Sequence, residues 1–163
     1  MNLATAPDVS LRDVTAQTVR AVCALVAAPP GYVAPNAVSI AQAYFHPEAW
    51  FRAVFVGDVP VGFVMLDDSA RLPQPPAEHT VFLWRFMIDA PRKGQGYGRA
   101  ALRLVVDDLR QRYPRLGRFG ASCVIGPHSP RPFYESLGFV FTGEVDDGEE
   151  VLALDLSTWP AGR

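Results

Sequence analysis

The chain has 163 residues, 49% of them hydrophobic and 20% charged, with a formal net charge of −2 and two cysteines. A chain of this length buries roughly 70% of its unfolded surface, enough for one core, and its balanced charge argues against nucleic acid or a membrane as partner. No apolar run reaches the ~18 residues of a membrane span, residues 1–13 hold no signal-peptide core, and Cys23 and Cys123 cannot make a zinc site unaided, which together point to the cytoplasm.

Residues 9–14 alternate like a first strand. Thr15 is placed to N-cap a helix whose apolar stripe is Val19, Val22, Cys23 and Val26, ended by Pro29-Pro30-Gly31. A second short helix is predicted over 37–45. Stretches 51–56 and 60–66, joined at Gly57-Asp58, read as a hairpin. A proline-rich loop over 68–79 precedes a strand at 80–89. Then come a helix at 97–112, a strand at 117–124, a helix at 130–137, and strands at 138–145 and 149–156 around Asp146-Asp147-Gly148. Both cysteines read as core thiols. With no internal repeat or second composition, the pattern predicts one α/β (α+β) domain over residues 1–163, its core spanning about 8–156.

The strand at 80–89 leads into Arg92-Lys93-Gly94-Gln95-Gly96-Tyr97-Gly98-Arg99, directly before the long helix. Strand, glycine-rich turn and helix form a device for holding a polyphosphate. Glycines let the backbone approach an anion, and the first turn of a helix offers unpaired N–H groups at its partly positive end. Eight of the fifteen basic residues fall between Arg92 and Arg118, and Lys93 is the only lysine. A dinucleotide fingerprint is absent, because Arg99 stands where its third glycine would fall, and no P-loop spacing occurs. By itself the turn is equally compatible with an ordinary loop opening a helix. Arg103, Arg110 and Arg112 read as a solvated basic face.

Lys93-x-x-Gly96-x-Gly98 resembles the Arg/Gln-x-x-Gly-x-Gly/Ala pyrophosphate motif of the GNAT superfamily of N-acetyltransferases. Phe133-Tyr134-Glu135-Ser136-Leu137-Gly138-Phe139 resembles that superfamily's second hallmark, F-Y-x-x-x-G-F. Trp84 to Asp89, Thr142-Gly143-Glu144 with Gly148-Glu149, and Val33 to Asn36 with Ser39 to Ala43 are similar to the bacterial diamine and spermine/spermidine branch. The resemblance implies the GNAT acyl-CoA N-acyltransferase fold, a mixed sheet of about seven strands with about four helices. It also implies acetyl-CoA (coenzyme A) as cofactor, no metal, and a small-molecule amine as partner, in a monomer or homodimer. The implied activity is acetyl transfer to a primary amine, a polyamine or diamine first. An amino acid, an antibiotic or a protein N-terminus is the alternative acceptor, and a non-catalytic acyl-CoA sensor the alternative role.

By the same resemblance, the backbone of Phe86, Met87 and Ile88 splays from its neighbour, meets the pantetheine and offers an amide to the thioester oxygen. Oxyanion-hole chemistry of this kind contributes ~3–4 kcal/mol. Lys93, Gly94, Gln95, Gly96, Tyr97, Gly98 and Arg99 form the pyrophosphate turn, and Ser129 and Phe133 complete the cofactor set. Tyr134 is the candidate general acid: a phenol of pKa ~10 stays protonated at neutral pH and can donate to a thiolate whose thiol has pKa ~8.5. Tyr32, Asn36, Ser39 and Tyr44 fall in the acceptor wall. Strand alternation puts Phe82, Trp84 and Phe86 on one side and Arg85 on the other, with a carboxylate partner expected at Asp89 or Asp107. The strand lacks the glutamate that several branches carry at the positions of Phe82 or Trp84, leaving Glu48, Glu78, His79 and Glu135 as base candidates. Pro127 and Pro130 replace the usual Asn and Ala, with Ser129 as helix cap, Pro130 at the first helical position and His128 facing solvent. Glu144, Asp146, Asp147, Glu149 and Glu150 read as a solvated hairpin tip, with a possible part in steering a polycation.

Overall fold

The computed structural model describes residues 8–160. Residues 1–7, within the stretch read as lacking a signal-peptide core, and residues 161–163 lie outside the described residues. Seven strands form one mixed sheet: β1 (Val9–Arg12), β2 (Ala49–Val56), β3 (Val59–Asp68), β4 (Val81–Ile88), β5 (Arg118–Val124), β6 (Val140–Asp146) and β7 (Glu149–Asp155). Their spatial order is β1-β2-β3-β4-β5-β7-β6, and only β4 and β5 run parallel. Four α-helices accompany them: α1 (Val19–Cys23), α2 (Asn36–Phe45), α3 (Tyr97–Arg112) and α4 (Arg131–Glu135). Class, element order and element number are those expected from the sequence. None of the described helices is long and apolar enough to cross a membrane.

Helix α3 covers one face of the sheet. Its Leu102, Val105, Val106 and Leu109, spaced at 0, 3, 4 and 7, are buried against Leu83, Phe119, Ala121, Leu152 and Leu154. Each such side chain contributes about 1.5–3 kcal/mol by leaving water. On the other face, Val22 of α1 with Ile40 and Ala43 of α2 packs on Ala53, Phe55, Phe63 and Met65.

Helix α1 is shorter than expected. It stops at Cys23, so Val26 lies beyond it and is exposed, and Cys23 is only half-buried while Cys123 is buried. Its N-cap is Thr18 and not the expected Thr15, and the two close the turn before it: the Thr18 hydroxyl accepts from the Thr15 N–H at 2.9 Å, and the Thr15 hydroxyl from the Thr18 N–H at 3.3 Å.

Strand β4 departs from simple alternation. Met65 pairs with Arg85 but Leu66 with Leu83, so Trp84 is an extra residue, a β-bulge. One extra residue inverts the facing of everything after it. Leu83 therefore packs with α3, Trp84 and Met87 pack toward α1 and α2, and Phe86 returns to the α3 side. Arg85 pairs with Met65, a residue of the α1/α2 layer. Phe82 and Trp84 thus share a face with Arg85 and not with Phe86, correcting the expectation.

The parallel contact between β4 and β5 is brief: Phe82 pairs with Gly120 and Leu83 with Ala121, and the strands then part. At the first of these pairs the Phe82 ring lies across β5, where a Cβ on Gly120 would sit 2.4 Å from Phe82 Cδ2. Gly120→Ala should therefore cost about 1–3 kcal/mol through overpacking, a fall in Tm of roughly 2–12 °C. Calorimetry giving an unchanged Tm would mean that the ring shifts at no cost and does not set the strand spacing.

Candidate active site

Where β4 leaves β5, a cavity of about 910 Å³ opens. It runs along the free edge of β4 from Phe82 and Trp84 to Ile88 and continues to the glycine turn.

The turn end is a cationic cradle. Gly96 caps α3 in the left-handed region, at φ 81°, with no side-chain acceptor for the first-turn N–H groups. A Cβ there would meet nothing within 4 Å, so the backbone stands open toward the cavity. Arg92, Lys93, Gly94, Tyr97, Gly98 and Arg99 also line this end. Lys93 Nζ donates to the Ala28 carbonyl at 2.6 Å, and Arg99 donates to the Ser136 carbonyl at 3.1 Å and to Ser136 Oγ at 2.8 Å, tying α3 to α4. Gln95 turns away, donating to the Pro91 carbonyl at 3.4 Å, and is not part of the lining. Three cations and unpaired N–H groups suit a pyrophosphate.

In the middle, Phe86, Met87 and Ile88 line the cavity along the open edge of β4, opposite α4. Phe86 stacks on Phe133 with ring centroids 6.2 Å apart. Tyr134 is buried between Phe133 and Phe139, each 5.5 Å away, and it borders the cavity. Burial first, and then the negative potential of Cys123 and Glu149, push its phenol well above the ordinary value, so it is protonated throughout the working pH range. Helix α4 starts one residue later than expected, with Pro130 as its cap. Ser129 Oγ accepts from the Arg131 N–H at 3.2 Å and contacts Cys123 Sγ at 3.7 Å.

Tyr32, Phe82 and Trp84 also line the cavity. His128 is exposed, as expected, and also borders the cavity, edge-on to Tyr32 at 6.0 Å. Three residues assigned to the acceptor wall do not line the cavity. Asn36 is 2% exposed and donates to the Val22 carbonyl at 2.8 Å. Ser39 is fully buried and bonds back to the Pro35 carbonyl at 3.4 Å. Tyr44 is 85% exposed beside Phe45. The reason is rotational: α2 turns its polar pair into the core to satisfy backbone groups and points Tyr44 outward.

The base candidates are also elsewhere. Glu48 pairs with the His46 ring at 2.9 Å, and a hydrogen bond from its own backbone first, then that side-chain partner, holds its carboxyl low. His79 bonds the buried Asp68 at 2.8 Å, Glu135 pairs with Arg131 at 2.7 Å, and neither these residues nor Glu78 line the cavity. Two carboxylates do line it: Asp67, which sequence reasoning missed, and Glu149, which it placed on the solvated hairpin tip. Desolvation first, then the charges of Glu48 and Asp68, raises the Asp67 carboxyl. Glu149 accepts a hydrogen bond from Ser122 Oγ. Glu149 and Glu150 are thus drawn inward, Glu150 to Arg131 at 2.7 Å, while Glu144, Asp146 and Asp147 are the solvated part of that run. Arg85 meets neither expected partner: Asp89 accepts from the Val26 N–H at 2.9 Å and Asp107 from Trp159 Nε1 at 3.2 Å. Its guanidinium lies 5.6 Å from the Trp84 ring centre and donates to the Trp84 carbonyl at 3.0 Å.

Residues 20–139 match the acetyltransferase (GNAT) family. A spermine/spermidine N(1)-acetyltransferase of Bacillus subtilis is 29% identical over 114 residues, 69% of this chain and 72% of that protein. The ribosomal-protein-S18-alanine N-acetyltransferase of Escherichia coli shares the fold at TM-score 0.63 and 17% identity, over 94% of this chain and 96% of that one. A GNAT family acetyltransferase of Elizabethkingia anophelis with acetyl-CoA bound gives TM-score 0.61 at 12% identity, over 91% and 98%. The chain belongs to the acetyltransferase (GNAT) family and is an acetyl-CoA-dependent N-acetyltransferase.

The cradle yields a direct expectation. Gly96→Asp places a carboxylate in the open backbone concavity and Lys93→Glu reverses a lining charge. Each should weaken acetyl-CoA binding by about 2 kcal/mol, roughly 30-fold, measured by calorimetry on variants with unchanged circular dichroism. Unchanged affinity in both would remove the turn from the binding site.

Proposed function

We propose that this acetyltransferase transfers the acetyl group of acetyl-CoA to a primary amine of a small diamine or polyamine in the cytoplasm, as a single catalytic domain. The observation that carries this reading is the cavity lining, which combines the carboxylates Asp67 and Glu149 with the rings of Phe82 and Trp84. Carboxylates and aromatic faces are complementary to alkylammonium groups. The similarity to a spermine/spermidine acetyltransferase supports the same acceptor class.

Acetyl-CoA supplies an activated acyl group with a thiolate leaving group. In this reading Arg92, Lys93, Arg99 and the α3 N-terminus hold the pyrophosphate. The free edge of β4 at Phe86, Met87 and Ile88 takes the pantetheine as an additional strand-like partner and directs an amide N–H at the carbonyl oxygen. Tyr134 keeps its proton until the leaving sulfur needs it. One feature favours a second reading: Arg85 in the same cavity suits an acceptor bearing its own carboxylate.

Comparison of kcat/KM for spermidine, a neutral-backbone amino acid and a peptide amine at saturating acetyl-CoA tests the acceptor, and spermidine should lead. Preference for the amino acid would transfer the assignment to the second reading.

Tyr134→Phe should lower kcat by roughly 10²- to 10⁴-fold with little change in KM for acetyl-CoA, because ring packing survives. The pH dependence follows from the raised phenol. An acid of raised pKa stays protonated to higher pH, so kcat/KM should climb from pH 7 to 9 as free amine increases, with no falling limb from Tyr134 in that interval. Full activity of Tyr134→Phe would leave the tyrosine a packing role only.

A further inference from the structure

We propose that Glu149 is the proton acceptor for the amine, held in place by the Ser122 hydroxyl. The inference rests on the acetyltransferase reading of the cavity but is independent of which amine is preferred. Glu149 follows the turn Asp147-Gly148, pairs with Val124 at the end of β5, and lines the cavity. Its Oε2 accepts from Ser122 Oγ, which also lines the cavity, so the carboxylate is aimed by a fixed partner on the strand that parts from β4. The turn that precedes it is set by backbone conformation, with Asp147 at φ 46° and Gly148 at φ 80°.

The carboxylate faces charged or titratable groups on every side. Arg85 of β4, Cys123 of β5 and Tyr134 of α4 line the same cavity, and the charge of Glu149 raises the pKa of each. Glu150 on its own strand is taken by Arg131, and Asp67 and His128 stand on other walls of the same cavity. Among the carboxylates that line the cavity, Glu149 is the one whose negative charge reaches the buried phenol. The donor of the last proton and the acceptor of the first are thereby placed around one space.

The proton count closes. An alkylammonium gives one proton to Glu149, directly or through water, and Glu149 passes it to solvent. The freed nitrogen pair forms the C–N bond to the thioester carbon, and the C–S pair departs on sulfur. Sulfur takes the Tyr134 proton, and the phenolate recovers a proton from the nitrogen. The sum is ammonium plus acetyl thioester giving amide, thiol and one released proton.

The test uses full-length Glu149→Gln with two acceptors, an n-alkyl monoamine and a diamine of equal chain length. The loss in kcat/KM near pH 7 should be about 10²- to 10⁴-fold for both. It should shrink steadily as pH rises toward the amine pKa of ~10.4, where solvent supplies the free base. Acetyl-CoA affinity by calorimetry and the melting temperature should stay at wild-type values. Ser122→Ala, which leaves the carboxylate in the chain, should give a smaller loss with the same pH shape. Wild-type activity in Glu149→Gln overturns the proposal. So does a loss confined to the diamine and constant with pH, which would make Glu149 an ammonium anchor, or an equal loss of acetyl-CoA affinity. Which amine the wild-type enzyme prefers tests the acceptor reading and leaves this one standing.

Discussion

Every other feature of the cavity depends on two strands that stop bonding to each other. An interior strand normally satisfies its N–H and C=O groups on both edges, and a buried unpaired one costs about 1–3 kcal/mol. Beyond Leu83, β4 keeps its bonds to β3 but has none to β5, while β5 remains fully paired to β7. An apolar filling would strand those groups. The separation is held open by an aromatic wedge, Phe133 stacked on Phe86 and Tyr134 packed on Phe139, so the free edge faces a cavity where ligand or water can reach it.

The bulge at Trp84 acts on the same strand in a complementary way. Before it, the α3 face receives Val81 and Leu83; after it, Phe86 and Ile88. Consequently Phe86 is free to stack in the wedge while Trp84 and Arg85 are retained on the acceptor side. An unbulged β4 would have sent Arg85 toward the apolar stripe of α3, away from the cavity carboxylates.

Patterns carried by single elements were legible in the sequence, and relations between elements were not. The α3 stripe, the glycine turn and the Phe133-Tyr134 pair are local, so periodicity and motif spacing place them; the turn and Tyr134 do border one cavity. The bulge was invisible because it is a register relation between Met65, Leu66 and their partners. Asn36, Ser39 and Tyr44 were misplaced because a ten-residue helix shows its length in sequence but not its rotation about its axis. Glu149 looked like one acid among five, and only the insertion of β7 between β5 and β6 brings it beside Ser122. Asp67 falls between the expected strand at 60–66 and the expected loop at 68–79, because β3 runs on to Asp68, two residues past the expected end of the hairpin.

The charge arrangement explains how one cavity can serve two oppositely charged ligands. Arg92, Lys93 and Arg99 stand at the Ile88 end of β4, whereas Asp67 pairs with Phe82 at the other end. Six residues of extended chain separate those ends, roughly 20 Å at ~3.3 Å per residue. Exposed charges that far apart are screened beyond a Debye length of ~8 Å at physiological ionic strength. A polyanion at the turn therefore adds little repulsion or attraction to an ammonium at Asp67, and each end can select its ligand alone. Coupling is confined to the middle, where Arg85, Glu149 and Tyr134 influence one another in a partly desolvated space. There a charge is screened least, so an altered proton on Glu149 acts on the phenol and the guanidinium, and only weakly on the distant phosphate cradle.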